Sequence, residues 1–246
     1  MKLSFVIPAY NEETLIGECL KAISKATESK KYDIEVIVVD NASTDKTTEI
    51  AGSFEGVKIV KEPHKGIVWA RKAGFLASTG DLIANIDADG ILPPLWLDSV
   101  FSEFNKDPLL LALSGPYIYY DLSFSKRLMT KFFYVIGYIS DWFNGVFFNK
   151  RSMLQGGNYV VRREALLKIG GFDTTIEFYG EDTDMGRRLH KIGKVKWTFS
   201  LPMYTSGRRL KGEGIITVGL KYAINYLWTT FIGKPFSKNY SDIRPK

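Results

Sequence analysis

Four short apolar runs, Leu3–Ile7, Ile34–Val39, Val57–Val60 and Leu82–Ile86, punctuate the first third of the chain. Between them lie stretches whose apolar residues recur at helical spacing, such as Leu15, Ile16, Cys19, Leu20 and Ile23. A continuous apolar run is what a strand buried on both faces requires. Strands alternating with helices over short loops predict an α/β fold, a mostly parallel central sheet flanked by helices. Local signals set the expected boundaries. Pro8 should end the first strand, and Asn11 should cap the first helix, with Glu12 and Glu13 at its positive end. Ser43 or Thr44 should cap a second helix reaching Phe54. Ile67, Ala70, Gly74 and Phe75 mark a third helix that Gly80 should stop. Pro93 and Pro94 should open a fourth, through Phe104.

The remainder is less regular. Leu109–Tyr120 reads as one long strand and Lys126–Phe148 as an aromatic-rich helix. Tyr159–Arg162 reads as a strand, and Arg163–Ile169 as a short helix stopped by Gly170 and Gly171. Glu181–Ile192 is predicted helical, with Met185, Leu189 and Ile192 on one face, and Ile215–Ile232 is the last helix. No internal repeat or linker divides the 246 residues, which predicts one domain.

Charge is distributed unevenly. Ser206 to Lys246 holds eight Lys/Arg against two Asp/Glu, which equals the net +6 of the whole chain. Such a segment suits an anionic partner: a phosphate group, an acidic membrane surface or nucleic acid. The single cysteine, Cys19, excludes an intrachain disulfide and fits a reducing cytosol. Two histidines exclude a multi-histidine zinc site. The N-terminus shows no signal-peptide pattern. The best candidate spans, Leu128–Phe148 and Ile215–Gly233, are broken by Lys131, Asp141 and Lys221. A cytoplasmic protein is expected. Phe132, Phe133, Tyr134, Tyr138, Trp142, Phe143, Phe147 and Phe148 crowd one stretch, which fits an interfacial membrane surface, a core helix or a dimer contact.

In parallel sheets ligands sit outside the carboxyl ends of the strands, so the polar residues there carry the chemistry. Asp87-Ala88-Asp89 follows the fourth run. Residues two apart in an extended segment point to the same side, so both carboxylates can reach one hard cation whose shell substrate phosphates complete. Such a cation neutralises a diphosphate leaving group. A solvated acidic turn is the plainer alternative. Asp40 ends the second run and can accept a hydrogen bond from a nucleobase, or simply shape a turn. Pro8, Ala9, Tyr10, Asn11 and Glu12 can wrap a base and ribose, or form a strand exit and cap. Gly180-Glu181-Asp182-Thr183-Asp184 offers a general base, or carboxylates that merely complement a helix dipole.

Taken in order, these segments resemble family 2 glycosyltransferases of GT-A fold. The resemblance also covers Ala70-Arg71-Lys72-Ala73-Gly74 and Gly170-Gly171-Phe172-Asp173, and runs from about Lys2 to about Arg209. It implies inverting transfer from a nucleotide-activated sugar, with Mg2+ or Mn2+. Asp40 can pair with uracil or guanine, so a UDP- or GDP-linked sugar is expected, with a glycan or lipid-linked acceptor and no nucleic acid; the aromatic stretch and the basic C-terminal segment make peripheral membrane contact an expectation of their own. By the same resemblance Pro8 to Glu12 and Asp40 hold the nucleoside, and Arg71 lies near the donor phosphates. Asp89 is the direct metal ligand, with Asp87 nearer the ribose and Ala88 between them. Asp182 is the base, and Glu181 orients the acceptor. Gly156, Gly157 and Asn158 border sugar and acceptor. The implied organisation is a Rossmann-like nucleotide-sugar-binding half over 1–106, an acceptor half over 107–205 and a basic loop and helix over 206–246.

Two departures stand out. Met203-Tyr204-Thr205-Ser206-Gly207-Arg208-Arg209 holds no histidine where many relatives complete the metal site, and the Gln-x-x-Arg-Trp motif of processive synthases is absent. Arg208 and Arg209 can instead clamp a diphosphate, since a guanidinium binds phosphate oxygens bidentately, or form a solvated basic loop. Glycines 207, 212 and 214 would let that loop close. The rival enzymatic reading is a sugar-nucleotide nucleotidyltransferase, though Pro8-Ala9-Tyr10-Asn11 stands where its Gly-rich loop belongs. A non-catalytic sugar-nucleotide sensor or scaffold is the rival outside enzymes.

Overall fold

A computed structural model of the chain describes residues 1–28 and 31–237. The first part alternates as expected: β1 (Lys2–Ala9), α1 (Ile16–Thr27), β2 (Asp33–Asp40), α2 (Thr47–Gly52), β3 (Val57–Lys61), α3 (Ile67–Ala77), β4 (Leu82–Ile86) and α4 (Trp96–Lys106). Then follow β5 (Leu110–Ser114), β6 (Tyr117–Tyr119), α5 (Phe124–Phe148), β7 (Asn158–Arg162) and α6 (Arg163–Lys168). The last are α7 (Glu181–His190), β8 (Lys194–Trp197), β9 (Met203–Thr205), α8 (Arg208–Glu213) and α9 (Ile215–Ile232). Seven strands form one sheet in the order β3-β2-β1-β4-β7-β5-β8, and β6 pairs with β9. Within the large sheet only β7 runs against its neighbours, so the fold is α/β with a mostly parallel sheet.

Alternate residues of β1 feed opposite faces, as the pleat requires. Leu3, Phe5 and Ile7 pack with Ile16, Leu20 and Ile23 of α1 and with Trp96, Val100 and Phe104 of α4. Val6 joins Ile37 and Val39 of β2, Phe75 of α3, and Met185 and Leu189 of α7. Helices on both faces therefore explain why the runs are mostly apolar, with single polar residues at Ser4, Glu35, Lys58 and Asn85. Burying a ring such as Phe5, which is fully enclosed beside Trp96, is worth roughly 1.5–3 kcal/mol.

Several boundaries differ from expectation, each for a local reason. Pro8 lies inside β1 rather than ending it. Ala9 turns its carbonyl toward Asn41 beyond β2, so Pro8 faces the other way, past the last β1–β4 pair of Val6 and Asn85. No ladder donor is needed there. Asn11 is not a helix cap: it sits at φ 51° and accepts from the Thr44 N–H at 2.8 Å. The backbone carbonyl of Glu12 receives the N–H groups of Leu15 and Ile16 instead. α2 is shorter than expected, because Ser43 and Thr44 bond back to Asn11 and Asp45 receives Thr47. α3 ends at Ala77, three residues before Gly80, whose backbone presses against Ser4 too closely for any side chain. The long strand over 109–120 is two, β5 and β6, broken at Gly115-Pro116, where a Cβ on Gly115 would overlap the Leu201 carbonyl. Ile192 lies beyond α7 and is exposed, while Met185 and Leu189 are buried. The expected loop at 208–213 is helical, with Gly207 and Gly214 at its ends. Lys238, Asp242, Arg244 and Lys246 of the basic segment lie outside the described residues. Among the described residues no helix is long and apolar enough to cross a membrane.

Candidate functional site

β1 pairs with β2 on one side and β4 on the other. The strand order reverses there, from β3-β2-β1 to β4, and the crevice at such strand ends is where parallel sheets bind ligands. A cleft of about 680 Å³ opens at this point, within the range of small-molecule sites. Pro8 and Ala9 at the end of β1, with Tyr10 and Glu12 after it, form one wall, and Asp87, Ala88 and Asp89 after β4 form the floor.

The post-β1 and post-β2 loops are laced together. Glu12 N–H donates to Thr47 Oγ1 at 2.8 Å, and Glu13 N–H to Asp45 at 3.1 Å. Asn41 then fixes the next loop: its amide donates to the carbonyls of Glu62 and His64, and its oxygen accepts the Gly66 N–H. Lys65 is thereby brought to Tyr10, donating to the phenol at 2.9 Å and lying 4.5 Å from the ring centre.

The floor is a charge network. Arg208 grips Glu12 with both terminal nitrogens, at 2.8 and 2.6 Å, and lies 3.5 Å from Asp89. Thr205 donates to Asp89 at 3.0 Å. Burial pushes Asp89 up to about 7; Arg208 opposes the shift, while Asp87 and Glu12 add to it. Asp87 receives the Tyr117 hydroxyl at 2.7 Å and Arg71 at 3.3 Å. Arg71 also binds Glu181. Burial works against the charge on Arg71, but Glu181 and Asp87 outweigh it and keep the guanidinium protonated. Glu181 is pushed up to about 7 by burial, against the pull of Arg71, and its Oε2 has no hydrogen-bond partner. Asp182 is raised too, again through burial, although Thr183 and Gly156 N–H groups donate to it at 2.7 and 3.1 Å.

Not all expected residues reach the cleft. Arg208 and Arg209 line it, but each already has a partner, and Arg209 holds Glu213 at 2.8 Å. Asp40 stands beside Ala9 at the end of β2, behind the wall, and receives the Ser43 N–H. Asn11 stands behind the wall too. Arg71 is almost fully enclosed, so it does not face a ligand; it braces Asp87 against Glu181. Glu181 and Asp182 lie just behind the lining, near Tyr222, whose hydroxyl feels the Asp182 charge. Asn158 corrects the expectation most clearly: it is fully buried, accepting from Trp96 and donating to the Gly115 and Leu201 carbonyls. It anchors the loop rather than bordering a substrate. Gly156 and Gly157 are that loop. A Cβ at Gly157 would overlap the Asp87 carboxylate and the Tyr117 hydroxyl, so the backbone itself touches the acidic floor.

Sequence reasoning missed part of the lining: Lys65 to Trp69, Tyr117, Thr174 to Phe178, and Tyr222. The Gly115-Pro116 break was the one available signal, since it frees Tyr117 from the large sheet. Among the described residues no cluster of three or more His, Cys, Asp or Glu forms a metal cage. Asp87 and Asp89 are an open pair of hard oxygen donors, and the guanidinium beside Asp89 shows that the floor accommodates a cation.

Comparisons with known proteins agree with this architecture. The family model described as glycosyl transferase family 2 matches residues 4–170, more than half of the chain. The chain is 30% identical over 203 residues to the probable glycosyltransferase YdaM of Bacillus subtilis, covering 78% of this chain and 47% of that protein. It thus spans about half the length of that curated relative. Among solved structures, Staphylococcus aureus TarS 1–349 matches with a TM-score of 0.63 at 17% identity, covering 94% of this chain and 72% of that one. The mannosyltransferase PcManGT of Pyrobaculum calidifontis, in complex with GDP-Man and Mn2+, matches with 0.62 at 20% identity, covering 87% and 62%.

Proposed function

The chain belongs to glycosyl transferase family 2, and we propose that it moves a sugar from a nucleotide-diphosphate donor to a hydroxyl or lipid-phosphate acceptor in glycan or cell-envelope assembly, at the inner face of the cytoplasmic membrane. The single observation that carries this reading is the link between two acidic groups. Asp87 of the cleft floor and Glu181 of the α7 start are held by one buried arginine, Arg71, with Asp182 next in line.

Each part of the network has a role. Tyr10 and the loops held by Asn41 receive the nucleoside of a UDP- or GDP-linked sugar. Asp87 and Asp89 would hold a divalent cation, Mg2+ or Mn2+, which supplies charge neutralisation for the departing diphosphate. PcManGT, with its Mn2+, supports that assignment by likeness of fold. Arg208 and Arg209 line the same wall and offer guanidinium groups to phosphate oxygens once released from Glu12 and Glu213. Asp182 takes the proton of the acceptor as it attacks the anomeric carbon from the face opposite the leaving group, inverting that centre. Neighbouring Glu181, kept by burial at about 7, orients the acceptor. The halves 1–106 and 107–237 act as one catalytic unit, because Arg71 and Arg208 each join carboxylates across them.

Thermal stabilisation against a panel of UDP- and GDP-sugars with Mn2+ tests the reading. A rise in melting temperature with one donor, dependent on metal and lost in Asp89→Ala, is expected. No stabilisation by any donor, with or without metal, would remove it. Donor hydrolysis or transfer in the same samples separates an enzyme from a sugar-nucleotide sensor.

A further inference from the structure

α5 and α9 are inside out. On α5 the residues turned to the protein include Thr130, Gly137, Asp141 and Asn144, and the stripe turned away is Leu128, Phe132, Val135, Ile139, Trp142 and Val146. Both sets follow helical spacing of three and four, so the apolar side of this helix is the outer one. α9 repeats the pattern past its first turn, where Ile215 and Val218 pack inward: Asn225, Thr229 and Thr230 are buried, while Leu220, Ile224, Leu227, Trp228 and Phe231 are exposed. The two helices are joined by a polar seam. Tyr226 donates to Asp141 of α5 at 3.0 Å, and Ser152 of the loop after α5 pairs with Thr230 at 2.6 Å. Their outer surfaces meet where Phe148 and Phe231 lie edge to face at 5.5 Å.

A continuous apolar surface of this size on a soluble face calls for a cover. Charge identifies it. Lys126, Arg127 and Lys131 are exposed along the first turns of α5, Lys150 lies 4.6 Å over the Phe231 ring, and Lys234 follows α9. Neither helix has an exposed carboxylate: Asp141 is buried, and α9 contains no acidic residue. An anionic bilayer supplies the missing negative charge, and Trp142, Tyr138 and Trp228 are the side chains that favour its interface.

We infer that the outer face of α5 and α9 is a docking surface for an anionic lipid bilayer, lying in the plane of the interface with the cleft at its edge. Val218 and Tyr222 belong to α9 and also line the cleft. A docked molecule therefore holds its sugar-transfer site at the depth of lipid headgroups, and the acceptor is a membrane-embedded lipid carrying a phosphate or a glycosyl phosphate. This deepens the proposed glycosyl transfer and rests on it for the acceptor, while the docking itself does not.

Co-sedimentation of the full chain with phosphatidylcholine vesicles, with and without phosphatidylglycerol, tests the docking. Binding to the anionic vesicles at low salt is expected, reduced about tenfold or more by Ile139→Ser combined with Trp142→Ser, and weakened by added salt. Charge reversal of Lys126, Arg127 and Lys131 to Glu should reduce the same binding, and circular dichroism of both variants should match the parent. Absence of vesicle binding by the parent protein, or a dimer in analytical ultracentrifugation that the Ser substitutions dissolve, would overturn it. The melting-temperature shift with nucleotide sugars is read on the same samples. Vesicle binding without a donor shift would defeat the transferase reading and spare the docking; a donor shift without vesicle binding would do the reverse.

Discussion

β1 encloses Leu3, Phe5, Val6 and Ile7 completely, whereas α5 encloses Thr130, Asp141 and Asn144 and leaves Leu128, Phe132, Ile139 and Trp142 facing out. The strand is held by apolar burial; the helix packs Met129 and Phe133 inward near its start, and its later turns are held by hydrogen bonds. Asp141 accepts from the N–H groups of Ser152 and Met153 and from Tyr226, tying α5 to the following loop and to α9. Apolar area in one region is spent on the fold, and in the other it remains available to a partner. The proposed site's network lies where the regions meet: α7 contributes Met185 and Leu189 to the sheet core and Asp182 to that network.

The largest expected effect falls at that junction. Asp182→Asn should lower transfer by about 10²- to 10⁴-fold, the worth of a general base, while donor-induced stabilisation persists. Loss of donor binding along with transfer would give Asp182 a structural role instead. Next, Phe5→Ala should cost about 3–5 kcal/mol in chemical denaturation, as a ring removed from a closed core does. Third, Asp141→Ala should cost about 1–3 kcal/mol, because the donors it served stay buried and unpaired. A stabilised Asp141→Ala variant would break the contrast between the regions.

Smaller still is the pH effect. Glu181 has a folded pKa of about 7, above its ordinary 4.5, so folding favours its neutral form. Its stabilising contribution is complete below pH 4.5 and disappears as pH rises through 7. Melting temperature should therefore fall by about a few degrees between pH 5 and 8, and Glu181→Gln should flatten that slope. The smallest effect is expected at Ile139→Ser, within about 0.5 kcal/mol in the absence of lipid, since the side chain is exposed. A large loss there would mean that α5 is covered within the protein itself.

How far the letters revealed the molecule follows the same division. β4 was legible to the residue because Leu82–Ile86 is apolar except for Asn85 and is followed by Asp87. α9 was legible because Gly214 and Gly233 bracket its run. The acidic floor was legible too, since strand ends in a parallel sheet mark the ligand side. The burial of Arg71 between Asp87 and Glu181 was not legible, because arginine is ordinarily a surface residue and only the folded chain brings carboxylates to two sides of it. Lys65 and Thr174–Phe178 reach the cleft through long-range packing that no local pattern encodes, and for Tyr117 the Gly115-Pro116 break was the one local signal. The short β8, with lysines alternating with Val195 and Trp197, and the three-residue β9 offered too little periodicity to be distinguished from loop.

The contact between the Gly157 backbone and the Asp87 carboxylate also bears on engineering. With no room for even a methyl group, position 157 offers no alphabet for retuning which sugar is accepted. Variety has to be sought across the cleft, at Ile176, Phe178 and Tyr222, where side chains rather than backbone shape the opening. A library built there would leave the acidic floor untouched while redrawing the space above it.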